Sequence, residues 1–355
     1  MIQIETSRLI RNQPSVYNKK WRIGVHRRGG LGDALLCTAQ VKGIRKKYPD
    51  SHIVGFFEGN HLEMFRNLSG LVNEIRTPGI NESQTRKRYK NEFDLYFDFK
   101  PGGTIFIQNI KHPEKELYDD LYQKEFKNYD DNYPSAIVEM VKKYGKTCLE
   151  MSKILHGLDC EDKDMEIRYS TNDKIALNNL KLRPKQYITI HNHATNNIKS
   201  WDINKVQKMV DYLNDKDIKV VCIGTETPPN RCIQASRIGL RASCFLVNNA
   251  MMHIGTDGFF SHVTAAYNIP CVGLYGPTPY TFWGHSNIKP VIASGCEKEW
   301  CWSENPFWNK KCEISNQTNC SGKCMENISL DVVIQKIEET LFELGGDYNE
   351  DALFF

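Results

Sequence analysis

The sequence predicts an α/β protein with two parallel-sheet halves and a cysteine-rich stretch near its C-terminal end. Three observations carry that reading. Apolar strand-like runs alternate with helical patterns on both sides of a polar middle stretch. A glycine-rich turn joins the first strand to the first helix. The length of 355 residues suits two domains at about 100–200 residues each.

The first strand is Trp21–His26, and Arg28-Gly29-Gly30-Leu31-Gly32-Asp33 leads from it into a helical pattern over Ala34–Lys47. Pro49-Asp50 breaks that helix, and Ser51–Phe57 reads as the next strand. Strand, glycine-rich turn, helix, strand is a βαβ unit and implies a parallel sheet. Val72–Ile75 and Phe93–Phe99 continue the alternation. Residues 112–135, rich in Lys, Glu, Asp and Tyr without a clean period, read as an irregular solvated insertion before a helix over Ser135–His156. Polar Cys160–Pro184 reads as the connection between halves. Beyond it come a strand at Tyr187–His191, a helix at Lys205–Leu213 and a strand at Ile218–Gly224. An apolar run near Met252–Gly255, a helix through His262–Tyr267 and a strand at Cys271–Tyr275 follow. Leu330–Leu344 is an amphipathic helix ended by Gly345-Gly346. No internal repeat of 20–50 residues is visible. The expected domains are 1–165, a linker at 166–184, 185–328 with a cysteine-rich loop at 296–324, and a terminal helix and tail at 329–355. Both halves are Rossmann-like.

Composition narrows the function. A hydrophobic fraction of 40% with 25% charged residues is that of a folded globular chain. The net charge of +3 is too small to make nucleic acid or anionic lipid the default partner. No run approaches about 18 consecutive apolar residues, so at most peripheral membrane contact is expected. The polar start, Met1–Lys20, lacks the apolar core of a secretion signal. The cytoplasm is the expected compartment, where clustered cysteines more often bind metal than form disulfides.

Several groups of residues have both a plain and a chemical reading. Gly30 and Gly32 permit close backbone approach at a helix N-terminus, although the spacing is not that of a dinucleotide fingerprint. Asp33 either caps the helix or presents a carboxylate at the cleft end of a parallel sheet, placed to take a proton from a hydroxyl. Thr256-Asp257-Gly258 opens a helix carrying His262, a ready anion site for a nucleotide diphosphate. Lys199, in Lys199-Ser200-Trp201, is either a solvated charge or a phosphate clamp. Of twelve cysteines, seven are scattered and five crowd into 29 residues. Cys296, Cys301, Cys312, Cys320 and Cys324 have gaps of 4, 10, 7 and 3 residues, and four thiolates complete a tetrahedral site for iron or zinc. The plain reading is five surface or packing thiols.

Taken in order, Gly30-Leu31-Gly32-Asp33, Lys199-Ser200-Trp201, Asp257-Gly258 with His262, and Gly276-Pro277-Thr278 resemble glycosyltransferase family 9, which includes the heptosyltransferases of lipopolysaccharide core assembly. The resemblance implies two Rossmann-like domains facing a cleft, the GT-B type. It implies Asp33 as the base, Lys199 on the donor phosphates, Asp257, Gly258 and His262 on the sugar nucleotide, and Glu226 near the ribose. Where relatives carry Thr-Gly, this chain has Gly258-Phe259, which leaves the donor sugar open. Cys324-Met325 repeats a Cys-Met step of the family. The resemblance is closer to the branch that glycosylates autotransporter proteins, which holds iron with four cysteines there. Cys301, Cys312, Cys320 and Cys324, or the set with Cys296 replacing Cys312, are the candidate ligands. The implied activity is transfer of heptose or a related hexose from a nucleotide-diphosphate sugar, with inversion, to a saccharide, lipid-linked or protein hydroxyl. The competing readings are a GT-B nucleotide-sugar epimerase or hydrolase, and a non-catalytic sugar-nucleotide or metal-binding module. Oligomerisation is left open.

Overall fold

The structure is a computed structural model that describes residues 20–27, 29–57, 59, 62, 64–65, 68, 70–77, 88–99, 104–107, 111–112, 114–121, 123, 141–194, 197–224, 227–235, 237–294, 301 and 322–345. The chain divides between Arg168 and Tyr169 into two units.

The first unit holds a five-stranded sheet: β1 (Arg22–His26), β2 (His52–Phe56), β3 (Glu74–Arg76), β4 (Leu95–Asp98) and β5 (Thr104–Ile107), in the order β3-β2-β1-β4-β5. β1 pairs in parallel with both β2 and β4, so the chain leaves β1 on one side and later returns on the other. That reversal makes the β1/β4 end the switch point, where a doubly wound sheet opens to ligands. β1 and β2 each bury every residue after the first, as strands covered on both faces do. Helix α1 (Leu31–Lys47) joins them and buries an unbroken run from Ala34 to Val41, so it is enclosed on nearly all sides. β5 closes the sheet antiparallel to β4.

Two expectations for this unit are corrected. The insertion at 112–135 contains helix α2 (Lys115–Leu121), preceded by a buried Glu114 that pairs with Lys47 at 3.0 Å and accepts from Tyr48 Oη at 3.1 Å. That polar anchor on the end of α1 leaves little apolar signal in the sequence. The single helix expected over Ser135–His156 is interrupted: Gly145 adopts φ +59 and helix α3 (Cys148–His156) starts afresh. Thr147 accepts from the Glu150 amide and Glu150 reaches back to the Thr147 amide, a reciprocal cap that fixes the new start.

The second unit is a six-stranded, fully parallel sheet of β6 (Tyr187–His191), β7 (Lys219–Cys222), β8 (Ile233–Gln234), β9 (Met252–Thr256), β10 (Cys271–Tyr275) and β11 (Ile288–Ile292). Its order is β11-β10-β9-β6-β7-β8, which places the switch point between β6 and β9. The stretch expected to be a linker carries helix α4 (Thr171–Asn179), which packs on α6 (Leu240–Asn249) after the intervening α5 (Ile203–Asp215). α4 buries only Ala176 and Leu177, too few apolar positions to show a period. α7 (Phe259–Ala266) lies beside α6, α8 (Tyr280–Trp283) and α9 (Gly322–Glu326) are short, and α10 (Leu330–Gly345) ends the described chain. One core joins α5 and α10 to the sheet through Trp201, Val206, Leu213, Met325 and Ile337. Among the described residues no helix is long and apolar enough to cross a membrane.

Two imidazoles lie within this sheet. His253 is 1% exposed and its Nδ1 lies 2.9 Å from Thr189 Oγ1 on the paired strand. Burial, and then the nearby His191, push His253 down to about 3. Burial and then His193 push His191 down to about 4. The unfolded chain therefore takes up protons near the ordinary histidine value while the folded chain does not, and stability falls with falling pH. For His253 alone the slope is about 1.4 kcal/mol per pH unit between about pH 5.5 and 4. His253→Asn is expected to flatten the urea-denaturation stability curve by that amount over this window; an unchanged slope would show that His253 is protonated in the folded protein.

Candidate functional site

At the switch point of the first sheet, the chain leaves β1 through Arg27, whose side chain is 1% exposed. Gly29 follows at φ +126, a conformation that favours glycine, and a Cβ there would collide with the Asp33 carboxylate. The glycine requirement in this turn therefore rests on Gly29. Gly30 is the N-cap of α1 at an ordinary φ of −80, and Gly32 lies inside the first turn of the helix. Asp33 Oδ2 accepts from the Gly30 amide at 2.8 Å, while Oδ1 accepts from Arg27 Nη2. Asp33 is thus a helix cap, and it is also the counter-charge of a buried guanidinium. Burial opposes the charge on Arg27, but Asp33 outweighs it and holds the guanidinium firmly protonated. Burial pushes the Cys148 thiol up to about 11, so it stays neutral there. The Asp33 side chain keeps 22% exposure.

The second switch point carries a charged pair of its own. Lys199 ends a 3-10 turn (Asn197–Lys199) after β6, and Asp257 directly follows β9. Lys199 Nζ donates to Asp257 Oδ2 at 2.6 Å, and Thr278 Oγ1, from the turn after β10, donates to the same oxygen at 2.6 Å. Burial raises the Asp257 carboxyl, but Lys199, Thr278 and His262 together bring it below the usual carboxylate value. The chain two residues beyond Lys199 is fixed: Asn192 accepts from the Trp201 amide at 3.0 Å and donates to the Trp201 carbonyl at 2.8 Å. Gly258 is the N-cap of α7 in extended backbone, so the helix N-terminus opens beside Asp257. Thr256-Asp257-Gly258 therefore sets a helix start, a cation and a hydroxyl around one carboxylate. His262, one turn into α7, is buried and its Nδ1 lies 2.7 Å from His285 Nε2.

Comparison with known proteins gives this geometry a context. The sequence profile described as glycosyltransferase family 9 (heptosyltransferase) matches residues 122–313, more than half of the chain. The chain belongs to glycosyltransferase family 9. The matched span holds Lys199, Asp257, Gly258 and His262, whereas Asp33 precedes it. Lipopolysaccharide heptosyltransferase 3 of Escherichia coli is 28% identical over 115 residues, which is 28% of this chain and 34% of that protein. The likeness thus spans about a third of the length of that curated relative. Among solved structures, a family 9 glycosyl transferase from Veillonella parvula DSM 2008 superposes with a TM-score of 0.61 at 16% identity, covering 91% of this chain and 98% of that one. The iron-containing dodecameric glycosyltransferase TibC from enterotoxigenic E. coli H10407 gives 0.60 at 13% identity, covering 93% and 81%. TibC has also been solved in complex with ADP-D-β-D-heptose. At these identities the likeness is one of fold.

Within this family 9 chain the sequence-predicted residues fall into three sets. Lys199, Asp257, Gly258 and His262 come together at the second switch point, and Asp33 lies at the first. Glu226, Cys296, Cys312 and Cys320 lie outside the described residues. Cys301 is half-buried and Cys324 buried, and among the described residues no group of three potential metal ligands gathers. Sequence reasoning missed Arg27, Asn192 and His285. Only Arg27 carries a visible signal, a cation at a strand end just before a glycine-rich turn.

Removing the carboxylate from Asp33 leaves Arg27 buried without that partner. Asp33→Ala is expected to lose about 3–5 kcal/mol in urea denaturation, and the double variant Arg27→Met/Asp33→Ala to recover part of it. Strict additivity would show that the pair contributes nothing. At the second site, Asp257→Asn is expected to cost about 2 kcal/mol near neutral pH, the scale of hydrogen bonds to a charged group. Because the folded carboxyl titrates below its unfolded value, that difference persists above the ordinary carboxylate range. It shrinks as acid protonates Asp257 in the wild type. A difference that survives full protonation would refute the ionic origin.

Proposed function

We propose that this protein transfers a sugar, heptose or a related hexose, from a nucleotide-diphosphate donor to a hydroxyl acceptor, with inversion at the anomeric carbon. The observation that carries this reading is the Lys199–Asp257–Thr278 cluster at the switch point of a parallel sheet, beside the start of α7. An anion meets a cation and helix N–H groups there, which suits a diphosphate. Family membership supports transfer over epimerisation, hydrolysis or mere binding.

Each residue then has a role. Lys199, 17% exposed, meets the diphosphate, and it stabilises the charge that develops as the anomeric C–O bond breaks. Asp257 is buried and would repel an anion directly; its work is to hold Lys199 and Thr278 in place. The N-terminus of α7 at Gly258 faces the same phosphates, with His262 behind it and Glu226 assigned to the ribose. Asp33 accepts the proton of the acceptor hydroxyl as that oxygen bonds to the anomeric carbon, and the nucleoside diphosphate leaves. One base suffices for inversion, because no covalent glycosyl-enzyme forms. ADP-heptose is the first donor to test, given the complex of TibC; saccharide, lipid-linked and protein hydroxyls are the acceptors to test, in a cytoplasmic setting.

A structural metal completes the proposal. Four of Cys296, Cys301, Cys312, Cys320 and Cys324 would hold iron or zinc, and buried Cys324, at the start of α9, suits a ligand that anchors a loop to the core. The ion would supply a cross-link and takes no part in the transfer. Thiol titration is expected to release these cysteines only after denaturation with chelator, together with stoichiometric metal in elemental analysis; release by reductant alone would remove the metal from the proposal.

The donor reading is tested by a thermal-shift panel of nucleotide sugars. The preferred donor raises the apparent Tm of the wild type, since it binds only the folded state. Lys199→Ala abolishes that rise. Asp33→Asn keeps donor binding but loses transfer by at least about 100-fold, the usual scale for a general base. Retained turnover in Asp33→Asn would remove Asp33 from the chemistry.

A further inference from the structure

The turn that supplies Thr278 begins at Gly276, immediately after β10. A Cβ on Gly276 would lie 3.0 Å from Cys324 Sγ, 3.0 Å from Met325 Cγ and closer still to Met325 Sδ. Met325 is fully buried and Cys324 is 8% exposed. The helix that carries them, α9, also packs against the Asn197–Lys199 turn. The segment just beyond it is tied to the same place: Trp201 Nε1 donates to the Ile328 carbonyl at 3.1 Å, and Lys205 Nζ donates to the Glu326 and Ile328 carbonyls at 2.6 and 2.9 Å. A third tie runs from Asn327 Nδ2 to the Ser294 carbonyl at 2.9 Å, just past β11. Lys199 and Thr278 come from chain segments nearly 80 residues apart, yet one short helix supports both.

We infer that Met325 is a positioning residue of the donor site, which sets the placement of Thr278 and Lys199 around Asp257 through its packing under Gly276 and beside the Asn197–Lys199 turn. This rests on the reading of that cluster as the diphosphate site. The physical argument is one of tolerance. Two hydrogen bonds of 2.6 Å converge on a single carboxylate oxygen, and charge-assisted bonds this short lose strength with small displacements of either donor. Backbone hydrogen bonds fix the ends of β10, but Gly276 has no side chain of its own to pack, so the turn after it rests on what touches it. Met325 fills that space. An unbranched thioether fits irregular gaps, and its removal leaves a void beneath the Gly276 turn and loosens the helix that packs on the Asn197–Lys199 turn.

The test is nucleotide affinity measured by calorimetry with ADP and UDP, alongside urea denaturation to read stability separately. With whichever nucleotide the wild type binds, Met325→Ala is expected to weaken binding about tenfold while Met325→Leu stays within about twofold. Gly276→Ala, whose methyl meets Met325, is expected to weaken binding similarly. In Gly276→Ala/Met325→Ala the shortened side chain makes room for the methyl, so the double variant binds more tightly than Gly276→Ala alone. Stability losses in Met325→Ala with wild-type nucleotide affinity, or additive losses in the double variant, would overturn the inference and show Met325 to be core packing only. Should Met325→Ala fail to fold, Gly276→Ala and Met325→Leu still decide the matter: wild-type affinity in the former overturns it. If the wild type binds neither nucleotide, the diphosphate reading falls and takes this inference with it. If wild type binds and Lys199→Ala does not, that reading stands and the Met325 variants are judged alone.

Discussion

The carboxylate of Asp257 is the constraint on which the second unit's site depends. It sits at the end of a central strand of a six-stranded parallel sheet, 7% exposed, where an ion needs partners to remain charged. Those partners come from the ends of the two flanking strands, Lys199 after β6 and Thr278 after β10, because the sheet order places β6 and β10 on either side of β9. The topology thus decides which segments can meet. The hydrogen bonds decide how closely they do so, and the carboxyl remains ionised because Lys199, Thr278 and His262 outweigh the cost of burial.

The two switch points carry charged pairs of opposite construction. In the first sheet the cation is sealed, with Arg27 at 1% exposure, and the anion, Asp33, keeps 22%. In the second sheet the anion is sealed at 7% and the cation, Lys199, keeps 17%. The buried member of each pair is a support, since it cannot reach a ligand. The more exposed member is the one a ligand could reach. Under the proposed function it is an anion placed to take a proton in the first unit and a cation placed to meet phosphate in the second. A surface ion pair would hold neither group in place, whereas burial of one partner fixes the geometry of the other.

Much of this was legible in the sequence, and for a physical reason. Strands buried on both faces leave apolar runs, and the turns after them must use residue types that satisfy a helix N-terminus. Gly29–Asp33, Lys199–Trp201 and Asp257–Gly258 are therefore visible as punctuation. What stayed hidden depends on partners distant in sequence. Arg27 shows in the sequence as a cation before a glycine-rich turn, but its burial does not. His285 gains a role only when His262, 23 residues earlier, lies 2.7 Å away. The helix at Thr171–Asn179 buries two residues, so no period marks it, and the start of α3 is set by a cap that a longer apolar pattern masks. Met325 looks like any core methionine; its importance comes from a glycine almost 50 residues upstream.

The histidines at the second sheet show which groups set the potential at its edge. His191 ends β6, and its ring meets Phe260 edge to face at 4.9 Å; His253 lies on the neighbouring strand, fully enclosed. Both are held neutral at physiological pH because burial removes the water that would solvate an imidazolium. They therefore contribute shape and hydrogen bonding to the sheet but no charge. The positive character near Asp257 is carried instead by Lys199 and by the amide groups that open α7. Phe260, buried on the first turn of that helix, packs its ring against both imidazoles. A largely buried ammonium, with its carboxylate fixed behind it, acts on an approaching anion more strongly than the same ammonium in water, because less solvent screens it.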